Sequence, residues 1–306
     1  MTDVAASAPK KVKKNAYRTK RARTEARRAY AICIPFYGYM AIWSVVPLVF
    51  GLYLAFVEYN GLGGSYNFVG FKNFYSFVST DTYWILLFRQ AWMGFLQVGL
   101  NMVLSFCLAL MLNVSYKIRG FYRAAVYFPT LSAASATTAV FVALMSSTGG
   151  INTLVKALGH EPIVWIQSQG WAIAWIIFYG VWAGIGPQSI LWLGGLQGID
   201  PSLYEAAKVD GANRWQEIKY ITIPGLRFIT MYIMLTGIIG AMQMFGNIMF
   251  ISGGNPQMLT DVLMYRIYRD GIVNWNVGMA GAESWILGIV VLILCAFYYL
   301  LVRKVD

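Results

Sequence analysis

Six stretches of this chain carry no charged side chain: 29–57, 90–116, 124–155, 162–199, 228–260 and 284–302. They are 29, 27, 32, 38, 33 and 19 residues long, and each is rich in Leu, Ile, Val, Phe and Trp. A helix needs about 20 mostly apolar residues to cross the hydrocarbon core of a bilayer. The pattern therefore predicts an all-α, polytopic membrane protein with six transmembrane helices, near 30–57, 88–114, 121–146, 171–197, 228–252 and 279–302. Strands of a membrane barrel are about 10 residues long and alternate in polarity, and these runs do neither. Composition agrees, with 58% hydrophobic and 12% charged residues where a soluble domain carries about 25% charged. That hydrophobicity also excludes disorder for the bulk of the chain. Three cysteines in 306 residues cannot staple a secreted domain. Cys33, Cys107 and Cys295 all fall inside the apolar runs and read as packing residues.

Basic residues orient the spans. Of the 24 Lys and Arg, 19 fall on one side of such a six-span chain and 5 on the other. The positive-inside rule then places both termini in the cytoplasm. The net charge of +11 is mostly this topology signal. The basic leader, read as a disordered cytoplasmic tail over 1–28 beside the first span, suits anionic membrane lipids and not nucleic acid. The apolar run behind it has full span length, longer than the core of a cleaved signal. Pro35 and Pro47 predict kinks in span one. A flexible turn is expected at Gly61–Ser65, and a short interfacial helix at Phe71–Phe77. The single histidine, His160, with no cysteine or carboxylate cluster, predicts no metal site.

The longest loop on the basic side, 198–226, is written in capping chemistry. Asp200 before Pro201 reads as an N-cap followed by a first-turn proline. Ser202 with Glu205 fits a capping box in an alternative register. Either starts a short helix near 201–209, which Gly211 can end in the left-handed conformation. Asn213 with Gln216 fits a second cap, followed by an amphipathic helix with Trp215, Ile218 and Ile221 on one face. Pro224 breaks it before span five. The small residues Ala206, Ala207 and Gly211 would let another surface approach the backbone, as suits a helix docked in a groove of a partner.

Glu205-Ala206-Ala207, three residues, Gly211, nine residues, then Ile221-Thr-Ile-Pro224 resembles the EAA loop of ABC importer permeases. Ile223 stands where that pattern has Leu. Shorter segments resemble carbohydrate permeases of the maltose-transporter type, in order along residues 30–306. They are Phe68-Val-Gly-Phe-Lys-Asn-Phe74, Gly120 to Pro129, Leu196-Gln197 with Leu203-Tyr204, and Ser252-Gly-Gly-Asn-Pro256. The resemblance implies a transmembrane permease domain over 29–306 and a carbohydrate cargo, an oligosaccharide, moved by alternating access. It implies as partners a second, homologous permease in a heterodimer, two ATPase subunits and an extracytoplasmic solute-binding protein. Glu205, Ala206, Ala207, Gly211, Ile221 and Pro224 would then form the element that couples to the ATPase. The chain contains no Gly-Lys dipeptide and so no P-loop. It is accordingly expected to be no enzyme and to hold no cofactor, ATP and Mg being bound by the partner ATPase. A permease for glycerol phosphate or another polar solute is the alternative.

The substrate site is fainter. The spans appear in the sequence almost free of ionisable groups, which argues against a proton-coupled carrier and suits a neutral solute. Gln243 and Asn247, four apart in span five, are expected to share a helix face. Gly246 stands between them where the family often has an acidic residue. Glu283, near the outer half of span six, departs from a family pattern of small apolar residues. It could contact a sugar hydroxyl or pair with Arg266 or Arg269.

Overall fold

The computed structural model describes residues 20–59, 66–113, 119–254 and 259–303. The Gly61–Ser65 turn, residues 1–19 of the leader, and Asn255 and Pro256 lie outside them. The chain divides into two units, Met1–Tyr53 and Leu54–Asp306.

In the first unit, α1 (Lys20–Met40) runs through a π turn at Ala41–Val45 into α2 (Val46–Ala55). Residues 20–28, read as disordered from their composition, are thus the first turns of a helix. Apolar sequence follows directly, so each basic residue only extends a helix that is already nucleated. The π turn has a local cause: Pro47 has no N–H to donate, and the turn before it widens so that the Val46 N–H bonds to the Ala41 carbonyl. The helix continues through Pro35.

The second unit begins with a two-residue hairpin, β1 (Val57–Glu58) against β2 (Asn67–Phe68). The short α3 (Lys72–Ser79) follows, and Asn73 Nδ2 donates to the Ala55 and Val57 carbonyls at 3.0 and 3.1 Å. The long α4 (Asp81–Asn113) then leads to α5 (Arg119–Leu131) and α6 (Ala134–Leu144). The last two meet at 91° and do not form the continuous third span expected. Pro129 weakens the end of α5, and the Tyr179 hydroxyl holds the corner, 2.8 Å from Thr137 Oγ1 and 3.3 Å from the Ala134 carbonyl.

Beyond α7 (Gly150–Ala157) comes α8 (Gln169–Gln197), packed along α4. The link between α7 and α8 is organised by Asn152, which is fully buried. Its amide donates to the Ser146 and Ile163 carbonyls and accepts from the Ile163 N–H and the Trp165 indole. Then come α9 (Pro201–Val209), α10 (Arg214–Glu217), α11 (Ile223–Gly225) and α12 (Arg227–Ala241), with a π turn at Ile218–Thr222. A further π turn at Ile248–Ser252, α13 (Leu263–Tyr268), another π turn at Arg269–Val273 and α14 (Val277–Arg303) complete the described chain.

Among the described residues, four helices are long and apolar enough to span a membrane, or six elements if each of two bent pairs counts as one span. Close contact between α4 and its neighbours depends on small residues. A Cβ on Gly94 would lie 2.6 Å from Ala241 Cβ, and one on Gly237 would lie 2.8 Å from Val98. Such residues let spans approach where no hydrophobic effect drives them together.

Candidate functional site

Two regions of the second unit carry chemistry: the loop after α8 and a polar cavity among α4, α8 and α12.

The loop folds largely as its caps dictate. Asp200 accepts the Ser202 N–H at 2.9 Å, and that bond holds its carboxyl below the usual carboxylate range. Of the two registers open in the sequence, the Asp200 cap is the one formed, and α9 starts at Pro201. Glu205 therefore does no capping; it is exposed and has no hydrogen bond or ion pair among the described residues. Gly211 ends the helix at φ +78°. Asn213 and Gln216 form a reciprocal capping box at 3.0 and 2.7 Å. The Tyr204 hydroxyl, 3.0 Å from Thr222 Oγ1, ties the two arms together. The second arm differs from the single amphipathic helix expected. It is one α turn, a π turn and a short helix, since Pro224 has no N–H to continue the ladder. It meets α12 at 67°. Ala206, Gly211 and Pro224 are exposed, while Ala207 and Ile221 are half-buried. Leu203, Val209, Trp215 and Tyr220 are exposed too, so the loop offers an apolar surface that nothing among the described residues covers.

The cavity has a volume of about 300 Å³. Its polar lining is Gln97 and Asn101 from α4, Gln188 from α8 and Thr236 from α12, and no charged side chain among the described residues lines it. Gln97 and Asn101 are one turn apart and meet Gly180 and Gly184, one turn apart on α8. Each amide occupies the space a Cβ on its facing glycine would need. The Gln188 amide is oriented from behind, accepting from Ser105 Oγ at 3.2 Å, while Ser105 accepts from the Trp192 indole at 3.0 Å. Asn101 Oδ1 is buried without a hydrogen-bond partner among the described residues. Neutral donors and acceptors on three packed helices suit hydroxyl groups and disfavour an ion, which would stay desolvated and unpaired there. Sequence reasoning missed these four residues. The available signal was amides at a four-residue spacing in one span, opposite glycines at the same spacing in another.

The three substrate candidates named from sequence do not line this cavity. Gln243 and Asn247 do not share a helix, because α12 ends at Ala241 and a break separates them. The break is held by Gln90, which is fully buried. Its amide donates to the Met242 carbonyl and accepts the Met264 N–H at 2.8 Å. Glu283 sits in the second turn of α14, wholly buried, in the company of Asp270, Arg266 and Tyr83; neither of its oxygens makes a hydrogen bond of good geometry. Asp270 pairs with Arg266 at 2.8 Å, Asp261 with Arg269 at 3.7 Å, and Arg89 Nη1 donates to the Asp261 carbonyl at 2.8 Å. Arg266 is thus paired with Asp270 and makes no hydrogen bond with Glu283, which lies in the same buried cluster. This network corrects the picture of nearly charge-free spans: α4 and α14 begin earlier than the apolar runs, which brings Arg89 and Glu283 inside helices of span length.

Long apolar helices closely packed through glycines, around a neutral polar cavity, define a multi-pass membrane permease. The chain belongs to the family described as "Binding-protein-dependent transport system inner membrane component", which matches residues 34–306. It is 31% identical over 241 residues to the lactose transport system permease protein LacF of Rhizobium radiobacter, covering 77% of this chain and 80% of that protein. It is 29% identical over 278 residues to the sn-glycerol-3-phosphate transport system permease protein UgpA of Agrobacterium fabrum, covering 90% of this chain and 94% of that one. The fold matches a chain of the crystal structure of a bacterial ABC transporter involved in import of the acidic polysaccharide alginate. The TM-score is 0.80 at 24% identity, over 94% of this chain and 100% of that one.

Proposed function

We propose that this chain is the transmembrane permease subunit of an ATP-driven, binding-protein-dependent importer of a neutral carbohydrate, an oligosaccharide by the resemblance of its motifs. The observation that carries the substrate class is the cavity lined by Gln97, Asn101, Gln188 and Thr236 with no cation. Amides and a hydroxyl hydrogen-bond sugar hydroxyls without the desolvation penalty of a buried charge. Transport systems for lactose, and for trehalose and maltose, among the relatives support the same reading. Glycerol phosphate, named in the UgpA relative, is the second reading; a phosphate in this cavity would lack a cationic partner.

The coupling role belongs to the 198–226 loop, seated in a separate ATPase subunit on the cytoplasmic side. Glu205, Ala206, Ala207 and Gly211 form its contact face, while Ile221 and Pro224 set the angle at which its movement enters α12. A second permease, two ATPase subunits that bind ATP and Mg, and an extracytoplasmic solute-binding protein complete the machine. Both termini face the cytoplasm in this arrangement.

Uptake measurements on the reconstituted importer test the cavity. Asn101→Leu and Gln97→Leu are each expected to raise the half-saturating sugar concentration about tenfold, the worth of a hydrogen bond or two, at unchanged assembly. A glycerol phosphate importer would instead show uptake of that anion in competition with the sugar panel. Unchanged uptake of every sugar by both variants would remove the cavity from the path.

A further inference from the structure

A second crevice, of about 150 Å³, lies between the first turn of α12 and the last turns of α14. It is lined by Arg227, Phe228, Met231, Tyr299, Val302 and Arg303. Nothing in the transport reading uses it. Its two guanidiniums bracket apolar sequence: Arg227 is the last charged residue before the run 228–260, and Arg303 the first after 284–302. The two helix ends are held at one level, because Arg227 Nη2 donates to the Val302 carbonyl at 3.1 Å. The crevice therefore sits where two spans leave the hydrocarbon, the depth at which arginine and aromatic side chains anchor at headgroup level. Phe228 is 79% exposed and Tyr299 46% exposed. The lining is thus cationic at one end, phenolic beside it and apolar behind.

We propose that this crevice binds a phosphate ester, held by the Arg227 and Arg303 guanidiniums with the Tyr299 hydroxyl as a further donor, and that the ester is the headgroup phosphate of an anionic phospholipid. Guanidinium forks match phosphate oxygens in geometry and charge. Phe228, Met231 and Val302 then receive the start of the acyl chains. A free phosphate would use the same donors and leave the apolar wall uncovered.

The test uses the complex purified on this chain in mild detergent, stripped of lipid and titrated with mixed micelles of phosphatidylglycerol or phosphatidylcholine. Retained lipid is read by native mass spectrometry. Each basic residue at a membrane surface contributes about fivefold to anionic-lipid affinity. Arg303→Gln, a fold-neutral change at an exposed helix end, is expected to weaken phosphatidylglycerol retention about fivefold and Arg227→Gln/Arg303→Gln about thirtyfold. The leader variant Arg23→Gln/Arg27→Gln is expected to leave the tightly retained lipid unchanged. Inorganic phosphate is added in a parallel arm. Displacement of the lipid only at high phosphate supports the headgroup assignment, whereas tight phosphate binding that excludes lipid overturns the lipid source. Equal retention of both lipids, or equal loss in the leader variant, overturns the site.

Discussion

Gly211→Asp is expected to leave the chain in the membrane at normal abundance and to lower ATP-driven uptake about thirtyfold or more. That is the scale of losing a single interface hot spot. A Cβ at this position would meet nothing within 4 Å, so the effect is not steric. The backbone stands at φ +78°, where an L-residue costs about 1–2 kcal/mol and aspartate less than most. That strain is too small to unfold a bundle of this size. It is large enough to reset the angle between α9 and α10, and the new carboxylate would sit beside Asp210 on the surface assigned to the ATPase. Gly211→Ala separates the two causes, since it carries the strain without the charge and is expected to retain part of the uptake. Quantifying the chain and its co-purified ATPase in the same membranes reads the mechanism directly. Wild-type uptake in Gly211→Asp would show that the loop does not couple.

The largest structural effect is expected from Gln90→Leu. Its amide bridges the Met242 carbonyl at the break after α12 and the Met264 N–H at the start of α13. Leucine fills much of the same space and satisfies neither group. Two buried backbone groups without partners cost about 1–3 kcal/mol each, and in hydrocarbon there is no water to replace the lost bonds. Thermal unfolding in detergent should therefore move to lower temperature by a margin that a surface substitution such as Lys72→Gln does not reach. Gln90→Glu keeps an acceptor for Met264 and loses the donor to Met242, and so should fall between. A Gln90→Leu chain as stable as the natural one would mean that the break in span five is held by something else.

These two residues also mark what the sequence could and could not reveal. The 198–226 loop was legible because its signals are local: a cap, a first-turn proline, a left-handed glycine and a capping box all lie within one short stretch, and the structure forms them in that order. The helical, multi-pass architecture was legible because charge spacing measures span length directly. The interruptions were not. The 91° corner between α5 and α6 is fixed by Tyr179 from another helix, and the break in span five by Gln90, which lies 152 residues from Met242 in sequence. No pattern within span five predicts either, and so Gln243 and Asn247 read as one face. The amide cavity was hidden for the same reason, since Gln97 and Asn101 acquire meaning only against Gly180 and Gly184 across the helix interface. Glu283 was visible as an oddity, but its place beside Asp270 and Arg266 depends on tertiary contact.

The most direct test of the account is uptake of labelled neutral oligosaccharides into proteoliposomes holding the complex purified on this chain, with binding protein outside and ATP sealed inside. Accumulation is expected to require ATP and binding protein, to be weakened by Asn101→Leu and to fall about thirtyfold or more in Gly211→Asp. Sugar movement that proceeds without ATP, or that ignores the Gly211→Asp change, would contradict the account.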